Sequence, residues 1–387
     1  MLTRRFGKTE LQIPVFSCGG MRYQHSWDNL DLAEVPAANQ ENLEACIRRS
    51  LELGINHIET ARWYGTSEIQ LGQILPNLTR EDMIIQTKVP PFETVEEFEK
   101  TLQESYDKLG LKTIDLFSFH GLNNEEHLKW IQDHCYEVIL KWQVAGKIRH
   151  IGFSTHGSTE LIVKAIRTQL FDYVNLHWYY FNQFNEAAVQ AATEEDMGIF
   201  IISPSDKGGR LYEPPPILEE LCAPLHPMQF NDLFCLQDPR IHTLSLGAAR
   251  PTDFDCHVEA LKFSEDKELI NSIAQKIETQ LRSKLGDQWY ESWHQNLPVY
   301  SEAPNGINVF EILRLYNLAY GLDMIEFGKS RYNLLDGVKG HWFPGEKAHQ
   351  ANNDDWLQAL KNHHNPQRVI EALNWAHKTF NITEEAK

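Results

Sequence analysis

The stretch MIIQTKVPPFETVEEFEKTLQESYDKLGLKTIDLFSFH, residues 83–120, carries a short apolar run, an amphipathic segment and a second short apolar run. MIIQTKV (83–89) and TIDLFSFH (113–120) are rich in β-branched and aromatic residues and read as strands. Between them, TVEEFEKTLQESYDKLG (94–110) places Val95, Phe98, Leu102 and Leu109 at three- and four-residue steps and closes on Gly110, the pattern of a helix with a glycine stop. The unit is therefore strand, helix, strand.

The same alternation extends in both directions. Strand-like runs occur at IPVFSCGG (13–20), HIETA (57–61), HIGFST (150–155), YVNLHW (173–178), GIFIISP (198–204) and HTLSLGA (242–248), with helix-like segments such as NQENLEACIRRSLELG and HLKWIQDHCYEVILKWQVAG between them. Eight βα units in roughly 250 residues predict an α/β fold, a closed (β/α)8 TIM barrel, because eight parallel strands can close and bury both faces of the sheet. A doubly wound open sheet is the rival reading. The barrel is expected over residues 1–265, and 266–387, where the alternation stops, is expected to be a separate, mostly helical C-terminal region.

Composition narrows the function. With 387 residues, 42% of them hydrophobic, the chain can bury a large core. There is no run of 18 or more apolar residues, and the start MLTRRFGKTELQIP lacks an apolar stretch fit for a signal peptide, so a cytoplasmic protein is expected. The six cysteines are scattered, with no CxxC pair and none beyond Cys256, which argues against a disulfide framework, a metal site or a cysteine-ligated cluster. A net charge of −18 disfavours nucleic acid and anionic membrane as partners but leaves room for a local basic pocket for a phosphate.

In a barrel of this kind chemistry gathers at the C-terminal strand ends. At or just past successive ends stand Glu59 and Tyr64, Lys88, His120, Ser154 and Thr155, Asn175, Ser203, and Arg250. Lys88 follows IIQT in a run otherwise suited to burial, so it needs a counter-charge or a shifted pKa. Glu59 can supply that charge.

GINHIETARWYGTSEIQLG (54–72), IIQTKVP (84–90), IDLFSFHG (114–121) and GKIRHIGFSTHG (146–157) together resemble the aldo-keto reductase family, in order and spacing, over roughly residues 4–262. The resemblance implies a TIM barrel that binds a nicotinamide cofactor across its mouth. Carried over by position, Tyr64 is the general acid that protonates a carbonyl oxygen, Lys88 depresses the phenol's pKa, and His120 hydrogen-bonds the substrate carbonyl. The family usually has Asp where this chain has Glu59, so the charge is kept on a side chain one methylene longer. The resemblance also implies that Ser154, and Thr155 less closely, contact the nicotinamide carboxamide. Asn175 stands where a Gln is common, and Ile202, before Ser203, stands where an aromatic often stacks on the ring.

Lys207, Gly208, Gly209 and Arg210 in SPSDKGGRL suit a pyrophosphate. Arg250 in GAARPTDFDCH falls where the family holds the adenosine 2′-phosphate, which favours NADP(H). Met21, Arg22, Tyr23 and Trp63 are expected at the substrate mouth. The aromatics of HWYYFNQF (177–184) either join them or pack a loop onto the barrel top. Such a rim suits a small or ring-bearing carbonyl compound.

In the tail, EAPNGINVFEILRLYNLAYGL (302–322) resembles the ferredoxin-like C-terminal part of iron-sulfur aldo-keto reductase relatives. Ala303 stands where those carry a Cys, so the resemblance implies a module without its cluster, its core filled instead by Trp289, Trp293, Tyr300 and Trp342. His341, His349, His363, His364 and His377 lack ligand spacing, and no metal is expected. The expected activity is NADPH-dependent reduction of a small-molecule carbonyl by a monomer. The alternative is an NADP(H)-binding sensor or docking module with vestigial catalysis.

Overall fold

The chain opens with an antiparallel hairpin, β1 (Thr3–Arg5) and β2 (Gln12–Pro14), paired Thr3 to Pro14 and Arg5 to Gln12. Eight parallel strands follow: β3 (Phe16–Gly19), β4 (His57–Glu59), β5 (Ile84–Val89), β6 (Ile114–Phe119), β7 (Ile148–Ser154), β8 (Tyr173–Leu176), β9 (Gly198–Ile201) and β10 (Thr243–Leu246). They form a closed barrel in chain order, β10 pairing with both β9 and β3. The protein is thus a (β/α)8 TIM barrel with further C-terminal helices. The computed structural model describes residues 1–335, 343–348 and 354–382. Trp342, His341 and His349 lie outside these.

The expected strand 13–20 is divided. Residues up to Pro14, which has no N–H to give a central ladder, belong to the hairpin, and only Phe16 onward enters the barrel. The hairpin turn closes the N-terminal end of the barrel. Phe6 is buried among Ile13, Ile84, Leu116, Tyr173 and Phe200, and its ring lies 5.5 Å from that of Tyr173.

Local sequence sets the crossover helices. In Val95–Leu109, Thr94 accepts a hydrogen bond from the Glu97 N–H at the start, and Gly110 takes the left-handed conformation at the end, φ 64°. Its buried face is Phe98, Leu102, Ser105 and Leu109, with Val95 of the predicted stripe only half-buried. Ser158 caps Thr159–Arg167 in the same way.

Inside the barrel, below the C-terminal ends, runs a belt of buried polar side chains. Thr243 Oγ1 lies 2.7 Å from Ser17 Oγ, which lies 2.6 Å from His57 Nδ1; His57 Nε2 lies 3.0 Å from Gln86 Oε1. Gln86 donates to Ser118 Oγ at 3.0 Å, and Ser118 meets the Tyr173 hydroxyl at 2.9 Å. β7 contributes Gly152, whose missing side chain is the space that the Tyr173 ring fills. Each group in the belt has a partner, so none carries the penalty of about 1–3 kcal/mol for a buried unsatisfied polar atom.

The chain divides into two compact units, Met1–Gly208 with Asn231–Glu265, and Gly209–Phe230 with Asp266–Lys387. The segment 209–230, inside the expected barrel region, groups with the second unit. That unit is organised on the helix Val309–Leu322, which is buried on nearly every side and touches Lys267–Leu285, Ile325–Tyr332 and Pro366–Phe380. Trp289 and Trp293 are buried there, and the Trp289 indole donates to Asn317 Oδ1 at 2.7 Å. Tyr300, expected in this core, is instead 44% exposed, in the turn that follows Pro298. No helix among the described residues is long and apolar enough to cross a membrane.

Burial lowers the pKa of His57 to about 3. The unfolded chain takes up a proton at His57 below its ordinary value of about 6.5 while the folded barrel does not, so this residue makes stability fall as pH falls from 6.5 toward 3. Urea unfolding of wild type and His57→Gln at pH 7 and pH 5 checks this. The variant should lose about 2 kcal/mol less than wild type between the two pH values.

Candidate active site

Glu59 closes β4, and Lys88 lies one strand over in β5; both side chains are buried. The Lys88 ammonium hydrogen-bonds Glu59 Oε2 and donates to the Thr60 carbonyl at 2.8 Å. It reaches the Tyr64 hydroxyl at 3.4 Å and lies 4.7 Å from the centre of the Tyr64 ring. His120, just past β6, meets the Tyr64 ring edge-on with centroids 5.6 Å apart. Glu59, Lys88, Tyr64 and His120 therefore converge at the C-terminal end of the barrel.

The loop that presents Tyr64 is set by its own sequence. Gly65 has φ 50°, and a side chain there would run into the Ser26 carbonyl at 1.9 Å, so only glycine permits this approach to the β3–β4 connection. Thr66 then stitches the two segments, its N–H donating to the Ser26 carbonyl and its hydroxyl accepting from the His25 and Ser26 N–H groups. Glu68 is buried and serves the scaffold, accepting from Thr87 at 2.6 Å and from Ser105.

Burial holds the Lys88 amine below its ordinary value, with Glu59 acting against it. Burial and then the charge of Glu59 push the Tyr64 phenol well above 10. The expected depression of this phenol by Lys88 is not met, since desolvation and a buried carboxylate both disfavour a phenolate. Burial, then Lys88 and Lys207, push His120 well below its usual value, so it is a neutral imidazole at pH 7. Its Nδ1 is buried with no hydrogen-bond partner among the described residues, and the same holds for both amide atoms of Asn175.

Other predicted residues divide into two groups. Ser154 is buried at the end of β7 and accepts from the Gly121 N–H at 3.1 Å, while Thr155 is spent on its own loop, donating to the Leu122 carbonyl at 2.6 Å. Ser203 takes a left-handed conformation, φ 53°, and its carbonyl holds the turn through the N–H groups of Lys207 and Gly208. Lys207 Nζ is 3.4 Å from His156 Nε2, and His156 stacks on and hydrogen-bonds His177, with ring centroids 4.6 Å apart. Arg250 is exposed and paired with Asp253 at 3.2 Å. Gly209 and Arg210 belong to the second unit, where Arg210 pairs with Glu213.

At the rim, Trp63 is 57% exposed with its ring 5.6 Å from that of His120. The Arg22 side chain lies over Gly247, and Met21 is half-buried. Tyr23 is instead buried in the core cluster, with Cys18 and Cys46. Trp178 and Tyr179 are likewise buried, Trp178 stacking on Phe234 at 5.3 Å, so this part of HWYYFNQF packs the barrel top. Sequence reasoning missed Trp27, 59% exposed and edge-on to Tyr64 at 6.1 Å. A lone Trp in a polar loop was its only signal. It also missed His156 and His177, which adjoin recognised strand ends.

Residues 16–211, half of the chain, match the aldo/keto reductase family. L-galactose dehydrogenase of Arabidopsis thaliana is 29% identical over 124 residues, covering 30% of this chain and 39% of that protein. Pyridoxine 4-dehydrogenase of Escherichia coli (strain K12) is 26% identical over 131 residues, covering 30% and 45% respectively. The chain thus matches less than half the length of either curated relative. The holo form of an aldo-keto reductase from Bacillus halodurans shares the fold with a TM-score of 0.59 at 20% identity, over 70% of this chain and 96% of that one. From the matched half of its length and the barrel it forms, the chain belongs to the aldo/keto reductase family.

Proposed function

We propose that the protein reduces an aldehyde or ketone to an alcohol with NADPH, using Tyr64 as general acid. The observation that carries this reading is the buried Lys88, held by Glu59 and lying 3.4 Å from the Tyr64 hydroxyl. A phenol kept protonated at neutral pH is a proton donor in waiting, and an ammonium beside it offsets the charge it leaves behind. Tyr64 donates its proton to the carbonyl oxygen, Lys88 stabilises the resulting phenolate, Glu59 keeps Lys88 in place, and His120 orients the carbonyl as a neutral hydrogen-bonding imidazole.

The residues present fit a nicotinamide cofactor. Asn175 is fully buried with its amide oxygen and nitrogen both unpartnered among the described residues, the complement of a carboxamide, and Ser154 lies in register beside it. Lys207 suits the pyrophosphate and Arg250 the 2′-phosphate, with Ser203, Thr155 and Gly208 shaping the loops around them. Arg210 belongs to this set only as the sequence placed it. NADPH, when bound, supplies the hydride. Trp63, Met21 and Arg22, with Trp27, favour a small or ring-bearing carbonyl substrate.

On this reading the protein is a cytoplasmic monomer without nucleic-acid or membrane partners. Residues 266–387 are a ferredoxin-like module that has lost its cluster, since no cysteine follows Cys256. Ile202, which offers an apolar but not an aromatic face, Glu59 in place of Asp, and the cysteine-free tail favour the second reading, an NADP(H)-binding sensor or docking module with vestigial catalysis.

NADPH oxidation followed at saturating cofactor with a panel of aliphatic aldehydes, aromatic aldehydes, quinones and keto sugars tests the proposal. Tyr64→Phe should lower kcat by about 10²-fold or more while NADPH affinity is retained, and normal turnover in that variant refutes the acid assignment. Arg250→Ala should raise the KM for NADPH about tenfold and leave that for NADH unchanged, because only NADPH carries the 2′-phosphate.

A further inference from the structure

The Glu59 carboxylate has two oxygens and two different partners. Oε2 takes the Lys88 ammonium, while Oε1 accepts from Ser245 Oγ at 3.3 Å. Ser245 sits on β10, two strands from β4, with β3 between them. Contact across an intervening strand requires that strand to offer no side chain at that level, and it offers none. Gly19 is the β3 residue in register with Glu59, and a Cβ placed on it would lie 2.7 Å from Ser245 Oγ and 3.3 Å from Glu59 Oε1.

We propose that Ser245 is a positioning residue for catalysis: reaching across the gap left by Gly19, it anchors the long Glu59 side chain so that Lys88 stays beside the Tyr64 hydroxyl. The proposal rests on the reductase reading and adds a residue to it. Physically, a glutamate has one more rotatable bond than an aspartate. With only Lys88 to hold it, the carboxylate and the ammonium can shift together as a pair, away from the phenol. A second hydrogen bond from a different strand removes that freedom. Both ends are buried, Ser245 at 8% exposure and Glu59 at 2%, so water does not replace the contact freely.

A double-mutant cycle with wild type, Ser245→Ala, Glu59→Asp and the combined variant tests this, reading kcat, KM for the carbonyl and NADPH affinity by fluorescence. Ser245→Ala should lower kcat about tenfold, the range for a hydrogen bond to a charged group, with carbonyl KM and NADPH affinity unchanged. In the Glu59→Asp background the carboxylate is withdrawn by one methylene, out of reach of the hydroxyl, so the same substitution should change kcat about twofold or less.

An equal loss in both backgrounds, or no loss in wild type, overturns the proposal, since a merely structural serine would act independently of residue 59. Crystal structures of wild type and Ser245→Ala provide the arm that does not need turnover. A Glu59 carboxylate in a new rotamer supports the anchor, and one left in place overturns it. Absence of turnover on every carbonyl by wild type sinks the reductase reading, while the structural arm still decides whether Ser245 holds Glu59.

Discussion

The buried ion pair of Lys88 and Glu59 is the constraint on which the rest of the upper barrel depends. Two charges taken out of water incur a desolvation penalty of several kcal/mol each, which their mutual attraction offsets only when the geometry is tight and the remaining donors and acceptors are filled. Here the Thr60 carbonyl takes a second ammonium proton at 2.8 Å and Ser245 takes the second carboxylate oxygen. Strands β4 and β5 must stay in register, His57 against Ile84 and Glu59 against Gln86, for the two side chains to meet at all. Removing one partner strands the other, so the pair ties local electrostatics to the integrity of the sheet.

Polar side chains inside the barrel fall into two populations. In the belt formed by Thr243, Ser17, His57, Gln86, Ser118 and Tyr173, every group has a partner, and the belt is structural. One layer higher, Asn175 and His120 bury polar atoms that the described residues leave unpartnered. Folding alone gives no reason to keep such atoms unfilled, because each weakens the folded state. That contrast sets Asn175 and His120 apart from the belt beneath them, although Glu68, Tyr23 and Trp178 in the scaffold also bury polar atoms unpartnered among the described residues.

Much of the barrel was legible in the sequence because periodicity and hydrophobic content report directly on burial. The runs at 84–89 and 114–119 and the stop at Gly110 all fall where the pattern puts them. The convergence of Glu59, Lys88, Tyr64 and His120 was legible too, since strand ends share one mouth in this topology. Contacts between strands distant in sequence were not. Nothing in GAARPTDFDCH or HTLSLGA marks Ser245 as a neighbour of Glu59, and nothing in HWYYF separates an aromatic that faces solvent from one that stacks on Phe234. The direction of the Tyr64 pKa was misjudged for a related reason. A sequence names the nearby ammonium but not how far the hydroxyl is removed from water.

The hairpin of β1 and β2 gives the barrel two unlike ends. Phe6 and Ile13 stopper the lower one against Ile84, Leu116 and Phe200, leaving the mouth with Tyr64 and Trp63 as the open one. A barrel shortened to begin at β3 would expose a ring of aliphatic and aromatic faces, together with the neutral His57 belt above them, to water from beneath. The first fourteen residues therefore belong to the vessel as its floor, and any minimal version of this domain has to keep them.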